Sequence, residues 1–208
     1  MAKPQLLRRY QDGERMNHWL IALFFVLAGL SGLAFFHPAL FFFSHLFGGG
    51  PWARILHPFL GLAMVLCFAV LFVKLWRENI MNAADREWSK HMGRMLRGDK
   101  SGMPPVGKYN AGQKRVFWAM AISLVVLLLT GLMFWRPWFA PYFPIVVLRA
   151  AVLLHSVAAV VLVLATIMHV YAAIWVKGTI RAMTRGTVTE SWAKANHPLW
   201  HQEVTKGP

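Results

Sequence analysis

Four stretches of this chain contain no Lys, Arg, Asp or Glu: 18–36, 55–73, 116–135 and 150–176. Each reaches or approaches the ~20 residues a helix needs to cross ~30 Å of hydrocarbon. A soluble amphipathic helix would show a polar stripe every three or four residues, and these stretches show none. Hydrophobic residues make up 57% of the 208, a fraction that alone would also suit a large globular core. Their clustering decides the class. The expected fold is all-α and integral to a membrane: one domain over 1–208 forming a four-transmembrane-helix bundle. Its helices are expected near 17–36, 54–76, 114–135 and 149–176, joined by a link over 77–113 and followed by a tail over 177–208. The first fifteen residues are polar and basic and run directly into the first apolar stretch, so no cleaved signal peptide is expected.

The formal charge of +14 could point to nucleic acid or to a membrane surface, and its distribution separates the two. Four basic residues precede the first apolar stretch, ten lie between the second and third, and five follow the fourth. Only Arg54, Arg136 and Arg149 lie in the other two links. Nineteen of 22 basic residues on one side place both termini and the long link in the cytoplasm. The expected location is a bacterial cytoplasmic (inner) membrane, and no nucleic-acid partner is implied. Within the long link, Trp88, Met92, Met95 and Leu96 recur at helical spacing among Lys90, Arg94 and Arg97. That pattern predicts a short basic amphipathic helix lying in the inner interface. The opposite links are rich in Phe, Trp, Tyr, Pro and Gly, as interfacial anchors are. No internal repeat stands out.

Cys67 is the only cysteine, which excludes a c-type haem attachment, an iron–sulfur cluster or an internal disulfide in this chain. Of nine histidines, His37, His45, His91, His197 and His201 lie in links or the tail, where a surface position is the ordinary reading. His18, His57, His155 and His169 lie in or at the ends of the apolar stretches, where ionisable residues are costly and usually functional. His155 and His169 are 14 residues apart on one helix, hence ~40° apart around it and ~21 Å along it. The charge-derived orientation puts His57 and His155 at the outer level and His18 and His169 at the inner level. Two imidazoles at each level are what a six-coordinate b-type haem requires. Gly61 and Gly32 read equally as room for a flat macrocycle or as close helix packing. Pro58, directly after His57, predicts a strained or kinked backbone there.

Several stretches are similar to the gamma (cytochrome b556) subunits of membrane-bound respiratory formate dehydrogenases: RILHPF at 54–59, VGKYNAGQK at 106–114, WRP at 135–137, YFP at 142–144, IMHVY at 167–171, WVKG at 175–178 and WAK at 192–194, with His155. The resemblance covers nearly the whole chain. It implies two haems b on a membrane-embedded subunit, partnered by an iron–sulfur beta subunit and a periplasmic molybdenum or tungsten alpha subunit that oxidises formate. Electrons would enter at the outer level (His57, His155), leave at the inner level (His18, His169) and reduce a quinone, menaquinone or ubiquinone, near the cytoplasmic side. The resemblance places the quinone pocket at Asn110, Gly112 and Gln113, beside His169.

From the residues alone, Asn110 reads first as an N-cap of the third long helix. Lys108, Lys114, Arg115 and Arg15 read as partners of haem propionates or, for most of them, of lipid phosphate. Rival readings are the cytochrome b arm of a hydrogenase or thiosulfate reductase and, more distantly, a haem-free histidine-relay transporter or channel.

Overall fold

The structure is a computed structural model that describes residues 5–97 and 102–206, the side chains of Met95 and Leu96 excepted. In chain order it contains strand β1 (Leu6–Arg8) and helices α1 (Asp12–Phe36) and α2 (Gly50–Leu75), with a 3-10 helix over Pro38–Phe47 between them. Next come α3 (Ala83–Lys90), α4 (Met92–Leu96), α5 (Ala111–Met133) and α6 (Ile145–Trp175). The chain closes with α7 (Ile180–Arg185), strand β2 (Thr187–Thr189), α8 (Glu190–Asn196) and α9 (Pro198–Lys206).

Four of the helices, α1, α2, α5 and α6, are long and apolar enough to cross a membrane. They begin a few residues before the uncharged stretches, so His57 lies two turns inside α2 rather than at its mouth. Pro58 sits within α2, which runs through it as one helix. Proline supplies no N–H to the turn before it, so one carbonyl beside His57 loses its helical donor.

The chain divides into two compact units. One comprises 16–73 and 119–165. Its core is Met64, Leu124 and Leu162, surrounded by Ile21, Phe24, Phe25, Val65, Phe68, Met120 and Leu127, so all four long helices contribute to it. Most of its other apolar side chains face outward; Leu66 and Leu153 are 60% and 66% exposed. An outward-facing apolar surface on helices whose backbone groups bond internally is what hydrocarbon requires and water penalises.

The other unit comprises the described residues of 1–15, 74–118 and 166–208. Here β1 pairs antiparallel with β2, Leu7 opposite Val188, an addition to the all-α expectation. Tyr10, Ala182, Val188, Trp192, Ala193 and Trp200 form its core. Arg9 is buried in it, its guanidinium 4.7 Å from the Trp200 ring and 5.1 Å from that of Trp192. It also donates to the Lys108 carbonyl. Cation–π contacts of this desolvated kind contribute roughly 2 kcal/mol or more. His197, expected at the surface, is instead 2% exposed, with Nδ1 2.8 Å from the Gly107 carbonyl. Tyr10 donates to the Tyr109 hydroxyl, and burial pushes the Tyr109 phenol well above its ordinary pKa, so it stays neutral.

The amphipathic helix expected in the long link is two helices, α3 and α4, interrupted at His91. Met95 and Leu96 of the apolar stripe lie outside the described side chains. Trp88 is buried against Gly112, where an added Cβ would meet its ring at 3.4 Å. It therefore packs within the protein rather than against lipid. The acidic side of the link also bonds within the protein. Asp85 caps α3 with Asn82 and holds Lys114 Nζ at 2.7 Å, both side chains being buried.

The four basic residues read above as partners of propionates or lipid phosphate also have partners within the protein. Lys114 pairs with Asp85, Lys108 with Glu78, and Arg115 donates to the Ser89 hydroxyl. Arg15 bonds Asp12 and the Met183 carbonyl.

Candidate functional site

His57 on α2 and His155 on α6 face each other within the first unit, ring centroids 6.3 Å apart and ring planes 67° apart. Two imidazoles on opposite sides of a first-row metal, each nitrogen ~2.0–2.1 Å from it, place their centroids roughly 6.3 Å apart. The observed spacing therefore fits a single iron between them, as a bis-histidine haem requires. Phe134 adds an edge contact to the His155 ring, centroids 5.1 Å apart.

Each imidazole rests on a glycine and a hydroxyl of the helix that precedes its own. His57 lies over Gly32 of α1, where an added Cβ would be 3.0 Å from Cε1. His155 lies over Gly131 of α5, with the corresponding distance 3.2 Å. Contacts this short leave room for an imidazole only because the side chain is missing. Ser31 Oγ is 2.9 Å from His57 Nδ1, and Thr130 Oγ1 is 3.0 Å from His155 Nδ1. Those bonds engage one ring nitrogen and leave Nε2 as the nitrogen available to a metal. Both hydroxyl residues are buried.

Gly32, which reads equally as room for a macrocycle or as close helix packing, has its free space taken by the His57 imidazole of the neighbouring helix. Gly61 has no atom within 4 Å of an added Cβ. Gly131, Ser31 and Thr130 escaped the sequence reading. The signal that could have found them is an internal repeat. Residues 30–38 read LSGLAFFHP and residues 129–137 read LTGLMFWRP, identical at five of nine positions. A Leu-His pair follows each, at 56–57 and 154–155. The absence of a repeat expected above is thus corrected: each helical hairpin supplies one half of the site.

His18 lies on α1 in the first unit, its ring edge-on to Trp19 at 5.4 Å. The neighbouring Asn17 donates to the Cys67 carbonyl at 2.8 Å. His169 lies on α6 in the second unit, with an exposed side chain. Asn110, Gly112 and Gln113 open α5 in that second unit. Gln113 N–H donates to Asn110 Oδ1 and Asn110 N–H donates to Gln113 Oε1, both at 2.9 Å. This is a reciprocal capping box. It occupies the two amide oxygens and leaves the amide NH2 groups as the donors a quinone carbonyl would need. A cavity of about 480 Å³ lies alongside, lined by Glu78, Asp85, Lys108, Tyr109, Lys114 and Trp200 among others. Asn110, Gln113 and His169 do not line it.

Residues 9–186 match the family described as prokaryotic cytochrome b561. The chain is 46% identical to the formate dehydrogenase cytochrome b556(fdo) subunit of Escherichia coli (strain K12), over 99% of this chain and 97% of that one. It is 40% identical to the nitrate-inducible formate dehydrogenase cytochrome b556(Fdn) subunit of the same organism, over 99% and 95% of the two chains. The formate dehydrogenase cytochrome b556 subunit of Haemophilus influenzae is also 40% identical, over 94% of this chain and 82% of its own.

Proposed function

This chain belongs to the prokaryotic cytochrome b561 family and to the cytochrome b556 subunits of formate dehydrogenase, and from that footing we propose that it conducts electrons from formate oxidation across a bacterial inner membrane to a quinone. It is an electron-transfer subunit of an oxidoreductase complex, not the catalytic subunit. The observation that carries the reading is the His57–His155 pair, spaced for one iron between two imidazoles.

Two haems b complete the proposal, His57 and His155 holding the outer one and His18 and His169 the inner. Haem held by these histidine pairs would supply reversible one-electron exchange. The chain contributes the rest. Its apolar helices limit water at His57 and His155, and its histidines fix two electron-accepting positions at separate membrane levels. Asn110 and Gln113 offer amide donors to a quinone carbonyl, with Gly112 between them.

Both termini and the 77–113 link lie in the cytoplasm in this proposal, supported by the bias of basic residues. An iron–sulfur beta subunit delivers electrons from a molybdenum or tungsten alpha subunit at the outer face. Quinone reduced near the inner face takes its protons from the cytoplasm, so turnover separates charge across the membrane.

The test is a reduced-minus-oxidised spectrum of membranes containing the complex. Formate should reduce the b-type absorption, and added menaquinone or ubiquinone should reoxidise it. Reduction by hydrogen and not by formate would assign the chain to a different oxidoreductase.

A further inference from the structure

We propose that Ser31 and Thr130 are paired positioning residues that fix the tautomer of the two outer haem ligands; the inference rests on the haem reading above. A hydroxyl has one proton to donate. Ser31 Oγ–H donates to the Ala28 carbonyl at 3.0 Å, and Thr130 Oγ1–H donates to the Val126 carbonyl at 2.6 Å. Each oxygen then faces an imidazole Nδ1 with only lone pairs to offer. Nδ1 is therefore the protonated nitrogen and donates to the hydroxyl oxygen.

The carbonyls of Ala28 and Leu127, each three residues before its hydroxyl, lie 3.0 and 3.4 Å from the Ser31 and Thr130 oxygens. The unprotonated nitrogen of each ring is Nε2, the form that binds iron. A ligand whose second nitrogen donates to an acceptor is a stronger base toward the metal, which favours the oxidised iron.

The arrangement occurs twice. Ala28, Ser31 and Gly32 stand to His57 as Leu127, Thr130 and Gly131 stand to His155, each of the three offset by 99 residues. One position of each triplet supplies a carbonyl, the next a hydroxyl oxygen, and the last a bare backbone on which the ring lies. Ser and Thr exchange between the copies while the hydroxyl is kept.

The experiment uses Ser31→Ala and Thr130→Val, with Ser31→Thr and Thr130→Ser as conservative controls. Each variant is purified and assayed for haem content, redox potential and haem loss to excess apomyoglobin. In both hydroxyl-less variants the outer haem should shift to higher potential and be lost about 10-fold faster, since outer-shell partners typically contribute 10–100-fold in metal affinity. The inner haem should be unmoved, and the conservative controls should match wild type.

Unchanged potentials and loss rates in variants retaining both haems would overturn the proposal. If a hydroxyl-less variant fails to retain the haem at all, the control decides. Retention in Ser31→Thr supports positioning by the hydroxyl, and failure there overturns it. His57→Ala and His155→Ala separate this from the underlying reading. If both keep the full haem content, the ligand assignment itself is wrong. If each loses one haem while Ser31→Ala and Thr130→Val change nothing, only the positioning role fails.

Discussion

Asn110 and Gln113 cap α5 reciprocally, each side-chain oxygen accepting the backbone N–H of the other at 2.9 Å. Capping and quinone binding draw on opposite ends of the same amide, the oxygen for one and the NH2 for the other. The two roles are compatible, and substitution can separate them.

Asn110→Ser keeps a capping oxygen and removes the amide donor. It should leave thermal stability near wild type while weakening quinone binding by one hydrogen bond, roughly 0.5–1.5 kcal/mol or about 2–13-fold. Asn110→Ala should show the same kinetic loss plus about 1 kcal/mol of lost cap. Steady-state quinone reduction alongside thermal denaturation checks both, and full activity in the Ser variant would leave Asn110 a cap alone.

Replacing His57 or His155 by Ala should remove one haem, and replacing His18 or His169 the other, measured as haem per chain. Ring planes 67° apart leave the two π-type orbitals of the iron close in energy. The oxidised outer haem should therefore give a strongly anisotropic low-spin EPR signal, and His57→Ala should abolish that signal. An ordinary rhombic low-spin signal would mean the rings turn parallel when iron is bound.

Gly32→Ala puts a methyl 3.0 Å from His57 Cε1, and Gly131→Ala puts one 3.2 Å from His155 Cε1. The rings must yield by a few tenths of an ångström, away from the axis they share. Both variants should weaken outer-haem retention, the first more than the second, whereas Gly61→Ala, with open space around it, should not affect His57. Haem content after gel filtration orders the three.

Lys114 and Asp85 form a buried ion pair, and removing one partner of such a pair typically costs ~3–5 kcal/mol. Asp85→Asn keeps an acceptor for the Asn82 N–H of the α3 cap and removes the counter-charge of the ammonium, which keeps its bond to the Ile80 carbonyl. It should lower the denaturation midpoint in detergent sharply. Adding Lys114→Met should restore most of the loss, giving a large coupling in the double-mutant cycle.

A reporter fused at the C-terminus should read cytoplasmic, and one inserted at Gly48 periplasmic. The reverse pattern would invert the direction of electron transfer proposed here.

What could be read from the sequence follows from how each feature is encoded. The long helices were legible because exclusion of charge over some 20 residues has few causes other than hydrocarbon. The four histidines stood out because ionisable groups are scarce there, and of them the structure brings His57 and His155 together. Ser31 and Thr130 were not, because a hydroxyl in an apolar helix ordinarily satisfies itself on the preceding turn, as both do; only the partner 25 or 26 residues later gives it meaning. The unit built on Arg9, Tyr109, Trp192 and Trp200 was illegible for another reason. Its elements are three to nine residues long, too short for periodicity, and its contacts join residues about 100 and 190 apart.

The pairing of β1 with β2 carries a consequence for biosynthesis. Thr189, the partner of Leu6, is synthesised 183 residues after it. At 5–20 residues per second the first strand waits about 10–35 s for the second. By then every residue of both hairpins, with all four histidines, has been synthesised. Strand β2 forms after them and is what β1 depends on, so a chain released before Thr187 would carry all four histidines yet leave its first strand unpaired.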